Sequence, residues 1–177
     1  ACVTQPYKLV ANIPFYITGL IIGTFLEHTH APESMTLIVQ KEVAERIVTR
    51  DGKESVLSIS VQAYGKPTFV EKIPARYFSP KPQVDSAILH IADISKEFFN
   101  TFDETFFFKL VKTGFEHKRK ILAKNLEVLY PKDVVVAAFA RCSVSEKARA
   151  EALALSDWTC DIERGSLVIV FGPVGAG

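Results

Sequence analysis

The chain has 177 residues, a length that suits one domain or one and a half. Hydrophobic residues make up 48% of it and charged residues 23%, a globular composition that excludes intrinsic disorder. The 21 Lys and Arg residues against 20 Asp and Glu leave a formal charge of +1. Any nucleic-acid site must therefore be a local basic patch.

The cysteines and the apolar N-terminal run narrow the protein class further. Cys2, Cys142 and Cys160 form no C-x-x-C pair and have no His at zinc-ligand spacing, which predicts neither a disulfide framework nor a metal site. The apolar run at 16–26 is too short to span a bilayer and has no basic lead-in of a signal peptide. We expect a cytoplasmic protein without a membrane anchor.

The first half of the sequence predicts alternating strands and helices. Residues 8–11 predict a short strand that Pro14 ends, because proline has no N–H for a sheet ladder. Thr18 is predicted to cap the helix that follows. Residues 35–40 form an apolar run typical of a strand buried on both faces, and residues 41–47 predict a short helix. This order favours a parallel α/β sheet with crossover helices.

The second half changes from sheet to helix. Residues 56–64 fit either a helix or a strand, and residues 67–78 and 84–91 predict an antiparallel pair at the sheet edge, joined by a stiff proline-rich bend at 78–82. Beyond residue 95 the period is helical, with predicted helices containing Phe98, Phe99, Phe102 and Phe106 and then at 115–129, 132–140 and 145–155. We interpret the phenylalanines as a helix core rather than as a platform for bases.

The tetrapeptide Asn12-Ile13-Pro14-Phe15 carries the clearest chemical signal. It matches the Asn/Asp-x-Pro-aromatic pattern with which a strand ends in amino-directed methyltransferases. The exocyclic amine of adenine is a poor nucleophile, and two acceptors are needed to turn its lone pair toward a methyl group. An Asn oxygen and a backbone carbonyl at the turn can supply them, and an aromatic ring can stack on the base. A polar turn with a buried Phe is the competing interpretation.

Five segments in register resemble the ribosomal RNA adenine dimethyltransferases, most closely the KsgA-type enzymes of the small subunit. They are residues 8–18, 39–46, 78–87, 115–126 and 149–153, and the resemblance covers about residues 7–157. It implies the C-terminal half of a Rossmann-like methyltransferase sheet followed by a small all-helical domain. We therefore expect domains at 1–94 and 95–158, with a separate tail at 159–177.

The resemblance also implies a reaction and its residues. The family transfers two methyl groups from S-adenosylmethionine to each of two adjacent adenines. By position, Asn12 and the Ile13-Pro14 backbone would hold the amine, and Asn12 and Pro14 would also meet the cofactor. Phe15, where the family usually has Tyr, would stack on the base. Phe78 would be a second flanking ring, or a buried anchor of its turn. Glu42, Arg46 and Asp85 are predicted to be structural rather than catalytic, either capping helices or pairing within the fold.

A local basic stripe lies between residues 109 and 124, a segment that contains six Lys or Arg residues and a single Glu. The stripe is either a solvated helix face or a surface that contacts RNA phosphates. With the resemblance, we favour contact with small-subunit ribosomal RNA, through Lys118, Arg119, Lys120 and Lys124.

The two ends of the chain differ from the family's pattern. The glycine-rich loop and the acidic residues that hold the cofactor belong before the Asn12 strand, where this sequence has only residues 1–7. We expect an incomplete and inactive enzyme that does not bind S-adenosylmethionine in the family's manner. The glycine-rich tail resembles the start of an ABC-type P-loop domain, with a displaced methyltransferase loop and an unpaired apolar strand as alternatives.

The expected protein is thus a monomeric part of a ribosomal RNA adenine N6,N6-dimethyltransferase. Two alternatives remain open at this point. One is a non-catalytic relative that binds RNA or DNA, such as the family's mitochondrial transcription factors. The other is a large-subunit enzyme of macrolide resistance, because Phe also stands at the Phe15 position there.

Overall fold

The computed structural model describes residues 5–49, 52–100, 103–153 and 155. The predicted tail at 159–177 lies outside the described residues. The described strands are β1 (Lys8–Asn12), β2 (Ser34–Gln40), β3 (Lys66–Ile73) and β4 (Ser86–Ala92). The described α-helices are α1 (Thr18–Glu27), α2 (Lys41–Ile47), α3 (Val56–Tyr64), α4 (Glu104–Phe115), α5 (Leu122–Leu126) and α6 (Lys132–Arg141). None of the helices in these ranges has both the length and the apolar composition to cross a membrane.

The chain divides into two compact units, and the division falls inside α3. The first unit combines Ala1–Asp51 with Ser60–Glu97, and the second combines Gly52–Ile59 with Phe98–Gly177. The sheet belongs to the first unit, and α4, α5 and α6 belong to the second. The domain limits predicted from the sequence, at 94/95 and 158/159, stay a prediction.

The described sheet has four strands in the order β1-β2-β4-β3. Strands β1 and β2 are parallel and connected through α1, as the spacing predicts, and Asn12 lies opposite Ile38. Strand β4 runs antiparallel to both β2 and β3. The predicted antiparallel pair is therefore confirmed, and the sheet is mixed rather than parallel throughout.

Burial along β2 alternates and does not extend over both faces. Met35, Leu37 and Val39 are fully buried, whereas Thr36 and Ile38 are half-buried. One face of the strand packs into the core and the other is only partly covered. The prediction of a strand fully buried on both faces is wrong, because an apolar run indicates burial without showing how complete it is on each face.

The starts of α1 and α3 each test a sequence prediction. Thr18 lies inside α1 and donates its hydroxyl hydrogen bond to the Phe15 carbonyl at 3.1 Å, so it is not the helix cap. The ambiguous segment at 56–64 is a helix. Its start is fixed by reciprocal bonds: the Ser58 N–H donates to Ser55 Oγ at 3.1 Å and the Ser55 N–H to Ser58 Oγ at 2.7 Å. This is a capping box with Ser in place of the usual Glu.

The phenylalanines of the second unit form a core cluster. Asp103 caps the start of helix α4, where its side chain accepts the Phe106 N–H at 2.6 Å. The Phe107 ring packs edge-on against Phe98 and Phe108, with centroids 5.4 and 5.2 Å apart. Phe107 is fully buried, so the cluster belongs to the core. The prediction of one helix containing Phe98, Phe99 and Phe106 is wrong, because Phe98 and Phe99 lie in a separate turn before α4 and all three are half-buried. Phe102 lies outside the described residues.

Candidate functional site

The candidate site lies at one edge of the sheet, where β1 and β2 end. Parallel strands present their carboxyl ends at the same edge, which is where ligands bind in open α/β sheets. Ser86, the first residue of β4, pairs with both Gln40 and Ile73, the last residues of β2 and β3. The turn after Asn12, the start of α2 and the bend before Ser86 are therefore brought to this edge.

The turn after β1 and the proline-rich bend enclose a cavity of about 330 Å³, here the Asn12 cavity. Its lining contains the predicted residues Asn12, Ile13, Pro14, Phe15 and Phe78, together with Pro80 and Pro82. The sequence prediction located five of these seven residues. It did not include the two prolines, which it treated as stiffening the bend.

Asn12 supplies the only polar side chain among the residues that line the Asn12 cavity. The side chain is exposed and makes no hydrogen bond with any residue that the structure describes. The Pro14 carbonyl accepts the Ile17 N–H at 3.2 Å, and a carbonyl oxygen keeps a second lone pair for another donor. The residues that line the cavity therefore carry an amide oxygen and a backbone carbonyl oxygen that can each accept a hydrogen bond.

The remaining walls are flat and apolar. Phe15 and Phe78 are half-buried, so each ring keeps part of its surface accessible. Aromatic faces of this kind stack on nucleobases, and the two prolines add further apolar surface. The arrangement fits a planar aromatic ligand with an amino group. Whether Phe78 flanks such a ligand or only anchors its turn stays a prediction.

Asp85 connects the bend to its neighbours. Its Oδ1 accepts the Ala75 N–H at 2.9 Å, its Oδ2 pairs with Lys72 Nζ at 2.7 Å, and its carbonyl accepts the Lys41 N–H at 3.0 Å. The hydrogen bonds from Lys72 and from the Ala75 N–H hold the pKa of the Asp85 carboxyl below its usual value. The expectation that Asp85 pairs within the fold is confirmed.

A second cavity, here the Gln40 cavity, lies at the same edge and measures about 500 Å³. Glu42, which also pairs with Arg46 at 2.8 Å as predicted, contributes to its wall. The complete lining is Gln40, Lys41, Glu42, Glu45, Gln83, Val84 and Asp85. The sequence analysis assigns no role to the two glutamines, because their proximity follows from strand pairing and not from spacing in the sequence.

The predicted basic residues lie mainly in a turn of the second unit. The helix expected at 115–129 is wrong: α4 ends at Phe115, α5 begins at Leu122, and residues 116–121 form a turn between them. Lys118, Arg119 and Lys120, here the basic turn, are exposed and have no ion pair within the described ranges. Lys124 differs from them, because its ammonium pairs with Glu127 at 2.9 Å.

Asn125 holds the basic turn in place. It is 2% exposed, and its Nδ2 donates to the Gly114 carbonyl at 2.6 Å and to the His117 carbonyl at 3.4 Å. The His117 carbonyl also accepts the Lys120 N–H at 2.9 Å. One buried amide thus bonds the end of α4 and the first part of the turn. The sequence analysis places Asn125 in a signature segment without giving it this role.

Comparison with known proteins decides the family. The family described as Ribosomal RNA adenine dimethylase matches residues 2–164. The chain belongs to this family. The resemblance inferred from the five sequence segments is thereby confirmed.

The family's curated members include close relatives of this chain. The protein named Ribosomal RNA small subunit methyltransferase A from Dehalococcoides mccartyi (strain ATCC BAA-2266) is 41% identical over 157 residues, covering 86% of this chain and 53% of that protein. The protein of the same name from Fusobacterium nucleatum is 38% identical over 156 residues, covering 86% of this chain and 59% of its own length. The chain thus spans about half the length of the curated relatives it matches.

Two solved structures share the fold. The crystal structure of the 23S rRNA methyltransferase ErmE superposes with a TM-score of 0.70 at 26% identity, covering 87% of this chain and 63% of that one. A dimethyladenosine transferase from Plasmodium falciparum gives a TM-score of 0.73 at 24% identity, covering 89% and 66%. The Rossmann-like methyltransferase class predicted from the sequence is confirmed.

Membership of the dimethylase family implies S-adenosylmethionine as methyl donor. Its amino acid and ribose groups need several polar partners, and the Asn12 cavity offers one polar side chain and no carboxylate. The cavity lining therefore fits a planar group with few polar atoms and not the whole cofactor. Contact of Asn12 and Pro14 with the cofactor stays a prediction. Within the described ranges, no cluster of three or more His, Cys, Asp or Glu could hold a metal ion.

Proposed function

We propose that this chain forms the target-base pocket and an RNA-binding surface of an S-adenosylmethionine-dependent ribosomal RNA adenine N6,N6-dimethyltransferase. The observation that carries the proposal is the Asn12 cavity, which combines an uncommitted amide with two accessible aromatic rings in a chain of this family. The names of the relatives support the small ribosomal subunit as the source of the substrate. Their identity of 38 to 41%, against 26% for ErmE, favours it over the large subunit.

The proposed mechanism follows from the chemistry of the adenine amine. Its lone pair is delocalised into the ring, so the nitrogen attacks only when acceptors on its two N–H groups favour a pyramidal amine with the pair localised on nitrogen. Asn12 Oδ1 accepts one N–H of the amine and the Ile13-Pro14 backbone accepts the other, while Phe15 stacks on the ring. The cofactor, when bound, supplies the methyl group. Attack on the methyl group leaves the amine positively charged with a surplus proton, which this acidic conjugated ammonium releases to water, so no general base has to remove a proton before the attack.

The basic turn extends the proposal to the rest of the RNA. Lys118, Arg119 and Lys120 are available for phosphate contacts, since no carboxylate in the described part of the chain neutralises them. Lys124 remains in the proposed surface but contributes less, because Glu127 competes for its ammonium. We further propose a cytoplasmic monomer whose partner is the ribosomal RNA of the small subunit.

The deciding experiment measures transfer of labelled methyl groups to unmodified small ribosomal subunits by the protein expressed from its complete gene. Asn12→Ala is expected to lower transfer by about 100-fold or more, the usual cost of removing one positioned hydrogen-bonding group. Asn100→Ala, at an exposed asparagine outside both cavities, is the matched control and is expected to change transfer by less than 2-fold, within the small range of surface substitutions.

Two outcomes would contradict the proposal. Undiminished transfer by a folded Asn12→Ala protein would remove the role given to Asn12. RNA binding by the unmodified protein without any methyl transfer would instead indicate the non-catalytic relative.

A further inference from the structure

The Gln40 cavity is next to the Asn12 cavity in both sequence and strand register. Asn12 pairs with Ile38 where β1 ends, and Gln40, the last residue of β2, lies two residues beyond Ile38. Neighbouring strands are about 4.8 Å apart. Gln83 of one lining directly follows Pro82 of the other. The two linings are therefore continuous along the bend, which suits ligand groups that are neighbours in one strand; consecutive nucleotides are about 3.4 Å apart along a stacked strand.

The charged groups around the Gln40 cavity are already compensated. Lys41 Nζ pairs with Glu45 at 3.1 Å, and Lys72 Nζ pairs with Asp85 at 2.7 Å. Glu42 is paired with an arginine, as described above. No lining cation is left without a carboxylate partner, so the cavity has nothing to attract a phosphate group. The lining is therefore better suited to an uncharged group that forms hydrogen bonds.

Two glutamine amides are the uncommitted polar groups of this lining. Gln40 and Gln83 make no side-chain hydrogen bond with any residue in the described ranges. A glutamine amide donates and accepts side by side and can bond the N6 and N7 edge of adenine in a bidentate way. Proteins read unstacked bases of single-stranded RNA through such edges.

We infer that the Gln40 cavity binds the nucleobase adjacent to the target adenine on the same RNA strand, with Gln40 and Gln83 bonded to its amino edge. This inference rests on the function proposed for the Asn12 cavity. It adds a specificity site: a neighbouring base with an amino group is accepted, and one without it is bound more weakly. A substrate with two adjacent adenines then satisfies both cavities at once.

The test uses an RNA hairpin whose single-stranded loop carries two adjacent adenosines. Two derivatives replace one adenosine or the other by purine ribonucleoside, which lacks the amino group. Dissociation constants are measured by fluorescence anisotropy at one salt concentration for the unmodified chain. Each replacement is expected to weaken binding about 10-fold, the effect of about 1.4 kcal/mol of base discrimination.

Variants assign each loss to one cavity. For the double variant Gln40→Ala/Gln83→Ala, replacing the adenosine at one loop position is expected to leave the affinity unchanged. Replacing the adenosine at the other position still weakens binding about 10-fold. Asn12→Ala is expected to show the opposite pattern. Gln5→Ala, an exposed glutamine outside both linings, is the matched control and keeps both losses. Thermal unfolding establishes that each variant is folded; if the double variant is not, Gln83→Ala alone reports on the same position.

The outcomes separate this inference from the proposed function. If the glutamine variant keeps both losses while Asn12→Ala removes one, the inference is wrong and the function of the Asn12 cavity stands. If neither variant removes a loss, or if the unmodified chain shows none, both are wrong. If both variants lost the discrimination at the same loop position, separate sites for the two bases would also be refuted.

Discussion

Replacing Asn125 by Ala should destabilise the second unit through one identifiable set of atoms. The buried Nδ2 of Asn125 makes its 2.6 Å hydrogen bond to the Gly114 carbonyl at the end of α4. Gly114 is itself buried, so water cannot replace the lost donor without a rearrangement. The bond from Nδ2 to the His117 carbonyl, at 3.4 Å, disappears as well.

The expected magnitude follows from these two contacts and from one opposing effect. A buried carbonyl left without a donor costs about 1–3 kcal/mol, and the space left by the amide adds to that cost. In the opposite direction, Asn125 Oδ1 is buried without a partner, and its removal recovers part of its own desolvation. We therefore expect the free energy of unfolding to fall by about 2 kcal/mol. In a unit of about 60–100 residues, such as the second unit, this change lowers Tm by roughly 8–16 °C.

Urea unfolding followed by far-UV circular dichroism measures the effect. The midpoint should shift to lower urea with little change in slope, because the surface exposed on unfolding is nearly the same. Asn100→Ala and Asn12→Ala are matched controls: both side chains are exposed, and we expect changes within about 0.5 kcal/mol. A midpoint for Asn125→Ala equal to those of the controls would refute the reasoning, because the buried amide would then contribute no net stability.

Three further predictions concern other parts of the chain. Gly65→Ala should lower the free energy of unfolding by about 1–3 kcal/mol, because a Cβ would stand 2.8 Å from the Ala92 carbonyl oxygen. Gly23→Ala inside α1 should instead raise the free energy of unfolding by about 1 kcal/mol. Equal urea midpoints for the two variants would contradict this prediction. The Asp85–Lys72 pair should stabilise the fold fully above the ordinary carboxyl pKa of 3.8 and lose this effect as the pH falls through the lowered pKa of the folded state. The stability difference between the wild type and Asp85→Asn should therefore close below that pH in unfolding curves, and a constant difference would oppose the assignment. Replacing the three residues of the basic turn by Ala should reduce the slope of log affinity for single-stranded RNA against log salt by about 2; an unchanged slope would exclude phosphate contacts there.

The turn after β1 could be predicted from the local sequence, whereas the basic turn could not. Pro14 ends β1 by its own covalent structure, so the position of Asn12 at a strand end is visible in the sequence. Residues 116–121 contain neither Gly nor Pro. Their turn is stabilised by the side chain of Asn125 and by the Ala148 carbonyl, which accepts the Leu122 N–H at 2.8 Å. These contacts come from later parts of the chain, so a helical pattern at 115–129 gave the wrong structure.

The spatial order of strands also lies beyond local pattern. The sequence predicts that the segments of β3 and β4 pair, but β4 inserts between β2 and β3. This insertion is what brings Gln40 opposite Ser86 and so creates the Gln40 cavity. Helix α3 is different, because its signal was present as Ser55 and Ser58 at capping-box spacing. Periodicity alone cannot use that signal, since it is a hydrogen-bonding pattern of the helix start.

The three bonds of Asp85 give the two cavities a common support. Through them one residue holds the bend that carries Phe78, the end of β3 and the first residue of α2. If a base bound in the Asn12 cavity shifts the bend, these bonds would carry the shift to the wall of the Gln40 cavity. Occupancy of the two cavities is then thermodynamically linked: each base changes the affinity for the other by the same factor. Such an enzyme would discriminate against an isolated adenine by cooperativity, in addition to its contacts with either base.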